Sequence, residues 1–518
     1  MPGQQDMSLK EMLEGIQYEV VQGSDTVNVS SLCYDTRDMW SKSVFVCIKG
    51  SLTDAHTLAQ EAVYKGAVAI VAEEYVSVTA DITVIRVGST RKALAYMSAN
   101  YWEHPSRDML MIGITGTKGK TTTAYMIDAI LSAAGFCTGI IGSIEVRYGN
   151  ISYNNDNTTP ESYRLHEIMY NMKQNGVNVV IMEVSSQALK LERVAGIMYD
   201  YAVYTNISRD HIGLAEHRDM KEYIHFKSLL FSQCRNAVLN IDDGHVDDMI
   251  SECKDGEIIY YGKGRGDVCA DKILAAEVNG MPGVRYTLSC AYDEEEGEGR
   301  VIALKLPGEY SVYNSLAAIA ACNHIMGGDE PDTRYELMKC VLEDFSVKGR
   351  MEVFKSEKGY MAIVDYAHNE LSLQSLLQSL RPYVKGLLIC IFGCGGGRSV
   401  LRRYNMGEVS ARFADVTIIT DDNPRYEPSE KIISDIETGI LRVLDGGSRT
   451  DFTHEYRKET YLVEEDREKA IQNALSKAGK DDMIVIAGKG HENYQEIRGV
   501  RYPSNDSEIV KNILQWRI

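Results

Sequence analysis

The chain has 518 residues, 44% hydrophobic and 25% charged, the composition of an ordinary globular protein. At about 100–200 residues per domain, that length leaves room for about three domains. A net charge of −19 argues against sequence-independent nucleic-acid binding, which relies on Lys and Arg neutralising phosphates. Anionic ligands held by a local lysine or a helix N-terminus stay allowed. Eleven cysteines are scattered without a CxxC pair, which disfavours a disulfide scaffold or a structural zinc site. Reduced, mostly buried thiols are expected. No run of about 18 apolar residues occurs, and MPGQQDMSLKEMLEGIQYEV lacks a cationic flank followed by an apolar run. A cytoplasmic protein without membrane insertion is expected.

The dominant rhythm is strand, then helix. VFVCIKG (44–50) reads as a strand, DAHTLAQEAVYKG (54–66) as a helix, and AVAIVAEE and TVIRVGS as further strands before the helix RKALAYMSANYW. HPSRDM near residue 104 reads as a linker. A second series opens with the buried strand MLMIGITG (109–116) and the helix KTTTAYMIDAILSAAG, then the strands VNVVIMEVSS and YAVYTNIS. Residues 256–308 turn to shorter β-rich pieces with glycine turns, followed by the helix SVYNSLAAIAACNHIM. A third series, from about residue 348, contains the strands GYMAIVDYAHN, LLICIFGCGGG, VTIITDDNP and DMIVIAGKGHE. Buried apolar runs alternating with helices predict an α/β fold with largely parallel sheets. The boundaries expected are 1–107, 108–345 and 346–518, the central domain of P-loop type and the last Rossmann-like. Every unusual loop follows a strand, where open α/β sheets bind ligands.

The segment GITGTKGKTTT departs from GxxxxGK[ST], since Ile114 stands where the first glycine would be. Its chemistry survives. Glycines let backbone N–H groups converge on phosphate oxygens, Lys120 reaches the outer phosphates, Thr121 offers a hydroxyl to Mg²⁺, and the following helix adds its positive end. Other strand ends carry Glu183, Asp210-His211, Asp365 and His368. Glu183 suits a Mg²⁺ ligand or a turn residue equally, a lone histidine is more often structural, and Asp365 and His368 read equally as a polar loop. Lys227, in KEYIHFKSLLF, reads by pattern alone as a solvated helix lysine.

Twelve segments then carry a resemblance over nearly the whole chain: CYDTRD (33–38), GTKGKTTT (116–123), NTTPES (157–162), MEVSSQAL (182–189), TNISRDHI (205–212), HFKSLLF (225–231), YNSLAA (313–318), GRME (349–352), VDYAHN (364–369), FGCGGGR (392–398), DDNPR (421–425) and AGKGHE (487–492). In this order they resemble the Mur ligase family, and within it the MurE group, which adds the third amino acid of the peptidoglycan stem. The resemblance implies an ATP-dependent ligase working through an acyl phosphate, with UDP-N-acetylmuramoyl-dipeptide and an amino acid as partners. It implies a UDP-binding N-terminal domain in which Thr36 contacts the nucleotide. Thr158, Thr159, Ser185 and Arg193 would hold the muramoyl peptide. Gly116, Thr117, Lys118, Gly119, Lys120, Thr121 and Thr122, with Asn314, Arg350 and Asp365, would hold ATP. Thr121, Glu183, His211 and Lys227 would place Mg²⁺, Lys227 as an N-carbamate, and with Lys120 form the catalytic set. A monomer is expected.

The third domain should choose the amine. Asp422, Asn423, Pro424 and Arg425 match the DNPR form of diaminopimelate-adding enzymes, and Arg398, Gly488 and Glu492 match the family's remaining contacts to that substrate. Arg425 could pair bidentately with the distal carboxylate, which lysine lacks. Gln187, a longer Asp210–Lys227 stretch, Gly397 and the segment VLRRYN are similar to the branch of some Gram-positive bacteria, several of which add lysine. Diaminopimelate is the favoured amine and L-lysine the alternative. A sister Mur ligase, folylpolyglutamate synthetase or cyanophycin synthetase-like enzyme is a rival, as is a non-catalytic nucleotide-binding scaffold.

Overall fold

Aliphatic runs bounded by polar or glycine-rich loops form the strands of an α/β protein. The computed structural model describes residues 6–50, 53–79, 81–155, 157–209, 212–213, 216–253, 256–290, 300–328, 330–444, 456, 458 and 460–515. Two compact units are built, one on residues up to 269 with 313–337, the other on 270–289 and 338–518 with part of the segment between. Among the described residues no helix is long and apolar enough to cross a membrane.

The first unit opens with a five-stranded sheet: β1 (Tyr18–Gln22), β2 (Ser31–Cys33), β3 (Ser43–Val46), β4 (Ala67–Ala72) and β5 (Thr83–Val87), in the order β1-β5-β4-β3-β2. Only β1 runs antiparallel to its neighbour. Ser89 caps α1 (Thr90–Tyr101) by accepting from Lys92 N–H at 3.1 Å. HPSRDM is a short 3₁₀ turn, Pro105–Arg107, entered through His104 at φ +51°. Trp102 packs on Tyr170 of α3 (Ser162–Gln174), ring centroids 5.2 Å apart.

The same unit continues with β6 (Leu110–Thr115), α2 (Lys120–Ala133), β7 (Thr138–Ile141), β8 (Val146–Tyr148), β9 (Ile151–Tyr153), β10 (Val179–Glu183), β11 (Tyr199–Tyr204), α4 (Met220–Ser228), β12 (Cys234–Asn240) and β13 (Glu257–Lys263). Their order is β9-β8-β7-β10-β6-β11-β12-β13, parallel except for the β7-β8-β9 meander. Ile112 and Ile114 are fully buried, and each such side chain contributes about 1.5–3 kcal/mol. The glycine-turned stretch, with strands Val268–Val278, Met281–Cys290 and Arg300–Leu304, belongs mostly to the second unit, and most of α5 (Glu309–Ile325) to the first.

The second unit holds β14 (Glu352–Lys355), β15 (Met361–Asp365), β16 (Leu388–Phe392), α6 (Val400–Phe413), β17 (Val416–Ile419), α7 (Ser429–Leu441), β18 (Thr460–Val463), α8 (Arg467–Lys477) and β19 (Met483–Ala487), then the hairpin β20 (Tyr494–Ile497) and β21 (Val500–Pro503), and α9 (Asp506–Gln515). The sheet order is β14-β15-β19-β16-β17-β18, parallel beyond the β14 edge. Apolar side chains cover both faces.

All the described cysteines are free thiols. Cys33, Cys47, Cys322, Cys390 and Cys394 are buried, but Cys137 and Cys340 are exposed and the rest half-buried, so burial is less general than expected. Burial pushes the thiols of Cys234 and Cys253 up, to about 12 and about 11.

One buried ion pair ties the loop roots of the second unit. Arg467 donates to both carboxylate oxygens of Asp506 at 2.8 and 2.7 Å, and also to the carbonyls of Asp421 (3.3 Å) and Ala487 (3.0 Å). Both side chains are shut from solvent, at 2% and 0% exposure. Asp506→Ala, which strands the guanidinium, is expected to cost about 3–5 kcal/mol, read as a lower urea midpoint for this unit. Nearby Asp421 has its carboxyl raised to about 6, chiefly by burial, with the charges of Glu465 and Asp422 adding. A raised acid contributes stability that is full below its unfolded pKa and lost as pH rises through its folded one. Asp421→Asn should therefore gain melting temperature over the parent between pH 5 and pH 7.5; a pH-independent difference would contradict this.

Candidate active site

Strand order gathers the first set of groups. β10, β6 and β11 are adjacent and parallel, with Glu183 opposite Ile114 and Tyr204 opposite Thr115. Their carboxyl ends therefore open together. The phosphate loop leaves β6 there, and α2 begins at Lys120 behind Gly119, which sits at φ +88°. A Cβ on Gly119 would lie 2.3 Å from Oδ1 of Asn314 in α5, so this position needs glycine twice over. Asn206 fixes the loop backbone: its carbonyl accepts from Thr117 N–H at 2.8 Å and its Oδ1 from Lys118 N–H at 3.0 Å. Thr205 Oγ1 donates to Lys118 O at 2.7 Å.

Two lysines meet at this loop. Lys120 Nζ donates to Gly116 O at 2.9 Å and Thr117 O at 3.3 Å, and Lys227 Nζ donates to Gly116 O at 2.8 Å. Lys227 is 2% exposed, which corrects the pattern-only reading of a solvated helix lysine. The reason is tertiary: α4 docks on the loop, with Tyr223 OH 3.1 Å from Thr117 Oγ1 and the Tyr223 ring 4.8 Å from Lys227 Nζ. Glu183, 1% exposed, accepts from Thr121 Oγ1 (3.0 Å), Ser143 N–H (2.9 Å) and Ser143 Oγ (3.1 Å). Hydroxyl and carboxylate oxygens of this kind fit Mg²⁺, which takes one or two carboxylates beside phosphate and water. Among the described residues no cluster of three His, Cys, Asp or Glu forms. His211 lies outside the described residues. Thr122 follows Thr121 in the first turn of α2.

The peptide-side candidates adjoin this carboxylate. Ser143 Oγ is 3.0 Å from Thr158 Oγ1, and Thr159 Oγ1 donates to Glu183 O at 2.8 Å. Ser185 N–H donates to Thr159 Oγ1 at 3.1 Å, and Arg193 donates to Thr159 O at 3.0 Å while pairing with Glu161 at 3.3 Å. Thr36 belongs to the N-terminal sheet: it is buried in the turn Thr36–Asp38, and its carbonyl accepts from Lys65 Nζ at 3.0 Å. Sequence reasoning missed Ser143, Asn206 and Tyr223. Ser143 had a signal, since it follows the apolar run of β7 by two residues; Tyr223 had none.

The second unit builds its own strand-end set. Asp365 ends β15, and its carboxylate accepts from Met351 and Ala367 N–H, both at 2.8 Å. Arg350 lies over the Tyr366 ring at 4.4 Å. Burial, then the Glu492 charge, pushes the Tyr366 phenol up to about 12. Asn423 Nδ2 donates to Glu492 Oε2 at 2.9 Å, and Lys489, wholly buried, donates to the same oxygen at 3.3 Å. Burial first, and the Asp422 charge second, raise the Glu492 carboxyl. A Cβ on Gly488 would lie 2.8 Å from Asp422 Oδ2. Arg425 adopts φ +53° and is held there by β20: its N–H donates to Glu496 O at 3.0 Å and its carbonyl accepts from Arg498 N–H at 2.6 Å. Its side chain donates to Gly396 O at 2.7 Å and pairs with Glu496 at 3.5 Å. Arg398 is exposed beside this loop. Glu496 was not anticipated, because the β20–β21 hairpin that carries it lacks a buried apolar run; Lys489 lies in the AGKGHE segment but was given no role.

Comparison with known proteins matches this geometry. Residues 114–322 match the Mur ligase middle domain and residues 349–490 the Mur ligase, glutamate ligase domain. The chain is 35% identical to a UDP-N-acetylmuramoyl-L-alanyl-D-glutamate–2,6-diaminopimelate ligase of Clostridium perfringens, over 99% of this chain and 100% of that one. It is 38% identical to a ligase of the same name from Caldanaerobacter subterraneus, over 98% and 99%. A solved structure of a ligase of that name superposes with a TM-score of 0.67 at 25% identity, covering 99% of each chain. With its phosphate loop, its strand-end carboxylate and relatives similar from end to end, the chain belongs to the Mur ligase family.

Proposed function

We propose that the chain joins 2,6-diaminopimelate to UDP-N-acetylmuramoyl-L-alanyl-D-glutamate at the expense of ATP, releasing ADP and phosphate. The observation that carries the reaction is the meeting of Lys120, Lys227, Thr121 and Glu183 around one phosphate loop. Full-length similarity to ligases of that name supports the substrates, and the Arg425–Asn423–Glu492 group supports the amine.

The substrate carboxylate attacks the γ-phosphoryl group of ATP in line, giving an acyl phosphate and ADP. Loop N–H groups and Lys120 offset charge on the transferring group. Thr121, Glu183, His211 and carbamylated Lys227 would hold Mg²⁺, which would supply further charge neutralisation. The neutral amine then attacks the acyl carbon, a tetrahedral adduct forms, and phosphate leaves as the nitrogen loses its proton. Thr158, Thr159, Ser185 and Arg193 hold the peptide, and Thr36 contacts the uridine nucleotide. Asn314, Arg350 and Asp365 complete the ATP contacts. Arg398, Asp422, Asn423, Arg425, Gly488 and Glu492 take the amine. The partition at 1–107, 108–345 and 346–518 follows these three tasks.

A carbamate suits Lys227 because two ammonium groups on one carbonyl repel each other. Bound to one oxygen at 2.9 and 2.8 Å, the two nitrogens lie within the sum of those distances of each other, where an effective dielectric near 20 makes the repulsion about 3 kcal/mol or more. Carbamylation turns a cation into an oxygen ligand. Incubation with ¹³C-bicarbonate should give a carbamate carbon resonance that vanishes in Lys227→Ala, together with a loss of at least about 100-fold in kcat. A Lys227→Ala enzyme of full activity would refute the assignment. ADP release on UDP-N-acetylmuramoyl-dipeptide should be faster with meso-diaminopimelate than with L-lysine; the reverse order would favour the lysine-adding alternative.

A further inference from the structure

We propose that Arg403 is a positioning residue: through Glu427 it locks the loop bearing Arg398 to the loop bearing Arg425, and so sets the site's preference for an amine that carries a distal carboxylate. The inference rests on the reading of this unit as the diaminopimelate site.

Arg403 lies in α6, inside the VLRRYN segment, and its side chain is 1% exposed. A guanidinium so buried needs partners, and both of its terminal nitrogens have them, while Nε has none. Its Nη2 donates to both carboxylate oxygens of Glu427 at 2.9 Å, and its Nη1 donates to Asp435 at 2.9 Å. These partners do different things. Asp435 is in α7, so that arm joins two helices. Glu427 lies just beyond the DNPR loop, and its Oε1 also accepts from Gly397 N–H at 2.6 Å. Gly397 directly precedes Arg398.

The two loops touch along their backbones. Gly396 N–H donates to Asn423 O at 2.9 Å, and Gly396 O accepts from Arg425 Nη1 at 2.7 Å. A Cβ on Gly396 would lie 2.0 Å from Pro424 O. The Gly397 N–H and the Arg403 guanidinium together hold the Glu427 carboxyl below its usual range, so the lock stays charged at neutral pH. With Glu427 fixed, the two arginines keep a set spacing. A lysine substrate has no second carboxylate to use it, and a loosened lock costs such a substrate nothing.

Glu427→Gln and Arg403→Lys test the lock, the second keeping the charge but losing the planar fork. Each should raise the KM for diaminopimelate about tenfold, the scale of one charge-assisted bidentate contact. The KM values for ATP and the muramoyl-dipeptide nucleotide and kcat at saturating amine should stay within about twofold, and the diaminopimelate-to-lysine ratio of kcat/KM should fall about tenfold. Asp435→Asn, the helix-joining arm, should lower the melting temperature without moving that ratio. Amide hydrogen exchange of the 395–399 peptide, measured without substrate, should accelerate in Glu427→Gln. Unchanged exchange would overturn the lock whatever amine the enzyme uses. Faster exchange with an unchanged KM for the parent's own amine would overturn the positioning role. A parent that ignores diaminopimelate would overturn the proposed substrate instead, leaving the exchange result to decide the lock.

Discussion

The carbonyl oxygen of Gly116 accepts from the ammonium groups of both Lys120 and Lys227, and much of the first unit follows from that arrangement. Before carbamylation, two cations pointed at one oxygen concentrate positive potential where the loop turns; once Lys227 carries the proposed carbamate, Lys120 supplies that charge. The space before Lys120 favours anions, and the docking of α4 on the loop, which buries Lys227, keeps water from screening the field. Glu183 stands across the loop and is tied to it through Thr121. Opposite charges thus face each other over the place where a phosphate and its counter-ion would lie.

Parallel neighbours explain how segments far apart in the chain arrive at one place. Thr121 and Glu183 are 62 residues apart, and Asn423 and Glu492 are 69 apart, yet each pair is within hydrogen-bond distance. In the first unit the ends of β10, β6 and β11 do this, and in the second the ends of β15, β19, β16 and β17. The helices between these parallel strands carry the chain back, so within each unit their carboxyl ends open on one edge.

The parts legible in the sequence are those with a local cause. MLMIGIT, VIME and LLICIF are continuous apolar runs because both faces of their strands are covered, and the loops after them carry the chemistry. β1 and the β20–β21 hairpin escaped because they lie at edges, with mostly exposed or half-buried side chains that resemble loop. Lys227 escaped for a different reason. Nothing in KEYIHFKSLLF separates a buried lysine from a solvated one until Tyr223 packs against Thr117. The hold of Arg403 on Glu427 was hidden likewise, since an arginine-rich helix start reads as a solvated face until its partners arrive from another loop.

The distribution of thiols has a practical side. Cys137 belongs to one compact unit and Cys340 to the other, and these two are exposed. The remaining described thiols are shielded in whole or in part, and burial keeps several of them protonated, hence slow to react. Brief treatment with a maleimide dye would therefore mark Cys137 and Cys340 first, one in each unit, without any engineered cysteine. The unaltered protein would then carry an accessible labelling site in each unit.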